Sequence, residues 1–116
     1  MEQFELICFQ IISHAGGAKS KCYEALHCFQ NGDVKQFAKL MEECNQLFIE
    51  AHKIHASLIQ KEAAKEKVEL SLLLIHAEDQ LSSAELVRDT VNQMVALLKE
   101  VHDLKAEIQE IKKNID

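Results

Sequence analysis

Hydrophobic residues recur every three or four positions along most of the chain, which is the spacing of one face of an α-helix. The first stripe predicts a helix from Gln3 to Gln30. Its members are Phe4, Cys8, Ile11, Ala15, Ala18, Cys22, Ala25 and Phe29. The small side chains in the middle of this stripe lie beside Gly16 and Gly17, and we expect a neighbouring helix to approach closely there.

The tripeptide Asn31-Gly32-Asp33 is predicted to end the first helix and begin the second. Glycine adopts the left-handed conformation common at helix C-termini, and aspartate accepts hydrogen bonds from the first amides of a helix. The second helix is predicted from Val34 to Glu62, in a tight antiparallel hairpin with the first. Its apolar seam is Val34, Phe37, Met41, Cys44, Phe48, Ala51, His55 and Leu58, in which His55 is the polar member.

A charged stretch with little apolar periodicity, Ala63 to Glu69, is the predicted connection to a third helix. That helix begins near Leu70 and meets no glycine or proline through Lys113. Its second half has apolar residues at the strict heptad spacing of a coiled-coil strand. They are Met94, Leu97, Val101, Leu104, Ile108 and Ile111. Three helices of about 40 to 65 Å would make a long, thin unit, so we expect this tail to pair with further copies of the chain.

Composition agrees with this pattern. The chain has 116 residues, no proline, three glycines and only 5% aromatic residues, which favours a single all-α domain. We therefore predict an antiparallel three-helix bundle over residues 1–116, with a long C-terminal helix whose residues 101–116 form a helical extension.

Charge and hydropathy exclude several classes of function. A net charge of -6 argues against a nucleic-acid partner. The longest apolar run, Leu70 to Ile75, is far shorter than the roughly 20 residues of a membrane helix. Acidic residues near the start, Glu2 and Glu5, replace the basic segment of a signal peptide, so we expect a cytoplasmic protein.

The four cysteines form no Cys-x-x-Cys pair. In a reducing cytosol they are expected to remain free thiols that pack as small core residues. They are Cys8, Cys22, Cys28 and Cys44.

The start of the third helix carries the most informative polar group. His76 is followed three and four residues later by Asp79 and Gln80, so the three side chains share one helical face. A neutral imidazole can attack a phosphoryl group through its unprotonated nitrogen, and an amide can hydrogen-bond phosphoryl oxygens. A lone histidine on a helix face is more often structural, and the spacing alone leaves both interpretations open.

The chain resembles the lactose/cellobiose-class enzyme IIA of the bacterial phosphotransferase system over about residues 3 to 100. The segments that carry the resemblance are Leu72-Leu73-Leu74-Ile75-His76-Ala77-Glu78-Asp79-Gln80-Leu81, Glu50-Ala51-His52, Ser71, Cys8-Phe9-Gln10-Ile11-Ile12 and Asn31-Gly32-Asp33. They occur in the family's order and at its separations.

The resemblance implies a homotrimer of three-helix units, a nine-helix bundle. It implies that His76 is phosphorylated by the carrier HPr and passes the phosphoryl group to a cysteine of the cognate IIB component, during uptake of a β-disaccharide such as lactose, cellobiose or chitobiose. It also implies that Asp79 from three copies binds one divalent ion, taken as Mg²⁺, on the threefold axis. Carboxylates brought together on an axis repel unless a hard cation or protons neutralise them.

Three residues, Gln80, Glu78 and His52, are expected to support His76. Some family members have glutamine in place of Glu78 and histidine in place of Gln80, and a carboxylate close to a phosphoryl group would repel it. We therefore expect Glu78 either to point away or to have another role.

Three further interpretations stay open from the sequence. His52 and His55, three apart, could join His76 and Asp79 in a four-ligand metal site. The chain could also be a two-component histidine phosphotransfer domain, or a structural coiled coil without transfer activity.

Overall fold

The computed structural model describes residues 2–115, which form three α-helices. They are α1 (Gln3–Gln30), α2 (Val34–Ala63) and α3 (Leu72–Lys113). The predicted helices are confirmed to within two residues at each end, and the described chain contains no β-strand.

The α1–α2 turn forms through the predicted residues. Gly32 has φ 84°, and the Asp33 amide donates to the Cys28 carbonyl at 2.8 Å, which is the hydrogen-bond pattern of a Schellman motif. The Asp33 carboxylate then accepts from the Gln36 amide at 3.1 Å and caps α2.

The connection between α2 and α3 ends α2 with the same hydrogen-bond pattern, although it contains no glycine. Lys65 takes the left-handed conformation, with φ 64°, and the Glu66 amide donates to the Lys61 carbonyl at 2.9 Å. The Ser71 hydroxyl accepts from the Leu74 amide at 3.1 Å, so α3 begins at Leu72 rather than at the predicted Leu70.

The core is built around α1, which packs closely against both other helices, whereas α2 and α3 lie farther apart and meet through side chains such as His55 and Glu78. The predicted α1 stripe is buried from Cys8 to Phe29, and only Phe4 at its end is partly exposed. In the α2 seam Val34 is exposed, because it lies in the first turn beyond the end of the core. A Cβ atom on Gly17 would lie 3.2 Å from Leu47, so the expected close approach occurs at Gly17, while a Cβ on Gly16 would meet nothing.

The molecule is a rod of 75 × 22 × 20 Å because α3 extends beyond the other two helices. The face of α3 opposite α1 carries exposed apolar residues from Leu72 onward, and Ile115 continues them just beyond the end of the helix at Lys113. We call this surface the outer stripe. Its apolar members are Leu72, Ile75, Leu86, Met94, Leu97, Val101, Leu104, Ile108, Ile111 and Ile115.

Candidate functional site

His76 lies in the second turn of α3 and is exposed. Helical side chains lean toward the N-terminus of their helix, so the imidazole is directed toward the first turn. The Ser71 cap satisfies the Leu74 amide, whereas the amides of Leu72 and Leu73 have no partner inside the helix. The positive end of the helix dipole therefore lies beside the imidazole and favours a negatively charged group on it.

Gln80 follows His76 by one turn and is held by a residue of α1. The Lys19 ammonium donates to Gln80 Oε1 at 2.8 Å and to the Ser83 hydroxyl at 3.3 Å. Because the amide oxygen faces the lysine, the amide NH₂ of Gln80 is directed away and can donate to another group.

Lys19 is a residue of this site that the sequence did not reveal. It stands among the small residues of α1 without any motif of its own. The signal was its position one residue after buried Ala18, which places it at the edge of the α1 face that packs on the other helices.

Glu78 lies on the other flank of α3. Both its carboxylate oxygens lie 2.7 Å from Nε2 of His55 on α2. Residues two apart on a helix project about 200° from each other, so this contact directs Glu78 away from His76. Of the two alternatives expected for Glu78, the structure shows a side chain that points away from His76.

His52 packs against Phe48 and His55 on α2. Its ring centroid is 6.3 Å from that of His55 and 5.7 Å from that of Phe48, whose face is covered by the Arg88 guanidinium at 4.1 Å. A surface hollow of about 230 Å³ between α2 and α3 is lined by both histidines and Glu78.

The four-ligand metal site that the sequence left open is not assembled. His55 is bound to Glu78 on the flank that faces α2, whereas Asp79 projects from the face of α3 opposite α1. Among residues 2–115, no three His, Cys, Asp or Glu side chains lie where they could hold a metal ion.

Asp79 lies on the outer stripe between Ile75 and Leu86 and is exposed. An acidic side chain within an apolar stripe is costly to cover unless its charge is neutralised. The carboxylate therefore marks a point of the stripe where any covering partner must supply a cation or a proton.

Another hollow on the surface lies away from His76. It measures about 560 Å³ between α1 and α2 and is lined mainly by charged residues such as Lys21 and Glu43, which form an ion pair at 3.0 Å. It is open and does not include His76, so it does not bear on the chemistry of that residue. No helix in the described part of the chain is long and apolar enough to cross a membrane.

Comparisons with known proteins agree with the three-helix fold described above. Residues 6–99 match the family model of the lactose/cellobiose-specific IIA subunit of the PTS system. The chain is 35% identical over 100 residues to the lichenan-specific phosphotransferase enzyme IIA component of Bacillus subtilis, which covers 86% of this chain and 91% of that protein.

Two solved structures share the fold. The PTS cellobiose-specific enzyme IIA from Bacillus anthracis superimposes with a TM-score of 0.85 at 36% identity, over 89% of this chain and 94% of that one. The IIA(chitobiose) in its complex with HPr, from the N,N'-diacetylchitobiose branch of the Escherichia coli phosphotransferase system, gives 0.75 at 27% identity, over 88% and 99%. The chain therefore belongs to the lactose/cellobiose-specific IIA family of the phosphotransferase system.

Proposed function

We propose that this IIA component is a phosphocarrier that accepts a phosphoryl group on His76 from phosphorylated HPr and passes it to a cysteine of the cognate IIB component. The sugar taken up and phosphorylated is a β-disaccharide of the cellobiose, chitobiose or lactose kind. The observation that carries the proposal is the exposed His76 at the N-terminal end of α3, within a chain of this family.

The transfer is an in-line displacement at phosphorus. The unprotonated nitrogen of a neutral His76 ring, Nε2 in this proposal, forms a P–N bond as the P–N bond to the donor histidine breaks. In the second step the IIB thiolate forms a P–S bond, and the P–N bond to His76 breaks. No net oxidation occurs, and the energy of the phosphoryl group is conserved from carrier to carrier.

The residues around His76 support this chemistry by charge and position. The free amides at the start of α3 and the NH₂ of Gln80 are donors for phosphoryl oxygens, and Lys19 holds Gln80 in place from α1. Leu70 and Leu72, which are 83% and 84% exposed, lie before His76 and offer an apolar surface on which a partner can exclude water.

The same proposal includes a homotrimer in which three outer stripes face one another. Asp79 of each copy would then supply one hard oxygen donor of the kind that Mg²⁺ binds, and an ion held there would neutralise the carboxylates and stabilise the assembly. One copy alone offers a single carboxylate at this point, so the ion requires the assembly. Sedimentation equilibrium measures the number of copies in the assembly, and the same measurement with a chelator shows whether a bound ion stabilises it.

The test is phosphorylation in a reconstituted system. The protein is incubated with phosphoenolpyruvate, enzyme I and HPr, and the added phosphate is located by mass spectrometry under non-acidic conditions. Wild type and His102→Ala, an exposed histidine farther along the same helix, are expected to be labelled equally, and His76→Ala is expected to stay unlabelled. Labelling of His76→Ala at the wild-type level would refute the assignment.

A further inference from the structure

Within residues 2–115, the last part of α3 meets another helix through the His102 ring, whose centroid is 6.4 Å from that of Phe29 on α1, but it buries no side chain there. Val95 is the last buried residue of the helix, and every described residue from 99 onward is exposed. The apolar side chains there are nevertheless about half-exposed or more. They are Val101 (43%), Leu104 (57%), Ile108 (50%), Ile111 (59%) and Ile115 (69%). The family model ends at residue 99, so the family match does not account for this segment.

Spacing identifies the kind of partner that fits. From Met94 onward the apolar residues of the outer stripe alternate three and four apart as far as Ile115. Met94, Val101, Ile108 and Ile115 occupy the a positions of a heptad, and the d positions are Leu97, Leu104 and Ile111. An exact 3.5-residue period keeps one seam facing a second helix through a left-handed supercoil.

Charge identifies the orientation. Glu100 and Glu107 fall at the g positions, and Lys105 and Lys112 fall at the e positions. In a parallel, in-register coiled coil each g residue faces the e residue five positions later on the next copy, which gives Glu100–Lys105 and Glu107–Lys112. An antiparallel pair would instead bring glutamate to glutamate and lysine to lysine.

We propose that residues 94–115 form a parallel, in-register coiled-coil stalk with the same segments of other copies of this chain, fixed in register by these two glutamate–lysine pairs. Isoleucine at both seam positions of the last full heptad, Ile108 and Ile111, favours three strands over two. The stalk rests on the proposed trimer for its number of strands, whereas its parallel orientation rests on the charges of the segment itself.

The stalk and the phosphoryl site lie at opposite parts of the helix. His76 precedes Met94 by 18 positions, which corresponds to about 27 Å along α3. The stalk therefore holds copies together without covering His76, and the two proposals can fail separately.

Cross-linking of the full-length protein tests the register directly. In Ile108→Cys the new thiols of neighbouring copies face each other across the seam, so a mild oxidant is expected to link most of the chains in pairs. Ala106→Cys, at the outward f position, is the matched control and is expected to stay unlinked beyond the wild-type level. Equal linking of both variants, or no linking of Ile108→Cys, would overturn the proposal.

Charge reversal tests the orientation. E100K/E107K places lysine at all four charged e and g positions, and its thermal midpoint is expected to fall by several degrees at low salt, with a smaller difference at high salt. Adding K105E/K112E restores opposite pairs only in a parallel arrangement and is expected to recover the wild-type midpoint. An unchanged midpoint in the first variant, or no recovery in the second, would contradict the proposal. Labelling of His76, measured on the same samples, reports separately on the phosphocarrier function.

Discussion

The Lys19 ammonium ties the flank of His76 to α1 through Gln80. If this contact orients the amide toward the phosphoryl group, Lys19→Met should slow phosphorylation of His76 about tenfold, since a hydrogen bond from a charged donor contributes roughly 1.5 kcal/mol. The initial rate of labelling by phosphorylated HPr measures this effect. Lys21→Met is the matched control, because Lys21 pairs with Glu43 on the α2 side and its loss should leave the rate unchanged.

Glu78 gives the opposite expectation. Its carboxylate is bound to His55 on the flank that faces α2, so Glu78→Gln should leave the labelling rate within about twofold of wild type. The same rate assay checks this. A tenfold change would mean that Glu78 reaches the phosphoryl group after all.

Cys8 is fully buried, and burial first, then the nearby Glu5 and Glu78 carboxylates, raise the pKa of its thiol above 9.0. A raised folded-state pKa contributes stability that is present below the unfolded-state pKa and is lost as pH rises through the folded-state value. Wild type should therefore lose stability above about pH 9.

Cys8→Ala isolates this contribution. The free energy of unfolding of the variant should be about 1 kcal/mol below that of wild type at pH 7, because removal of the sulfur leaves a small cavity. This difference in the free energy of unfolding should narrow as the pH rises above 9. Urea unfolding at a series of pH values measures both. A difference in the free energy of unfolding that stays constant with pH would show that the pKa of Cys8 is the same in the folded and unfolded chains.

At the scale of elements, the caps decide where each helix begins and ends. The hydroxyl of Ser71 is the cap of α3, and Ser71→Ala should lower the free energy of unfolding by about 1 kcal/mol. Ser57→Ala is the control, because the exposed Ser57 hydroxyl bonds only to a carbonyl of its own helix and its removal should change stability by less than about 0.5 kcal/mol. Urea unfolding distinguishes the two variants. Equal losses in the free energy of unfolding would show that Ser71 does not stabilise α3 as its cap.

The three helices could be predicted because each local signal agreed with the final packing. The α1 stripe alternates four and three apart and is the buried face, and Gly32 with Asp33 supplies both a helix end and a helix start. The start of α3 was misplaced by two residues because Leu70 continues the apolar pattern, whereas the Ser71 cap decides the boundary.

The surroundings of His76 could be predicted only in part. Gln80 and Asp79 follow from helical spacing along one element, whereas the Lys19–Gln80 and His55–Glu78 contacts depend on how α1 and α2 lie against α3. Contacts across 61 and 23 positions of sequence are set by tertiary packing, which periodicity along one helix does not encode.

At the scale of the whole molecule, the two proposals place a phosphoryl site and an assembly surface at different positions along one rod. The proposed phosphoryl site lies at the N-terminal end of α3, where helix amides are free, and the outer stripe runs past it to the C-terminal tail. A monomer would leave this long apolar stripe in water, and the proposed assembly through α3 would bury it. The His76 flank bound to Lys19 remains beside that interface.

Transfer onward from His76 tests the phosphocarrier claim most directly. The phosphorylated protein is separated from HPr and mixed with the cognate IIB component, and both proteins are weighed by mass spectrometry under non-acidic conditions. We expect the phosphate to leave His76 and to appear on a cysteine of IIB in equal amount. Phosphate that stays on this protein, or is released to water without reaching IIB, would contradict the account.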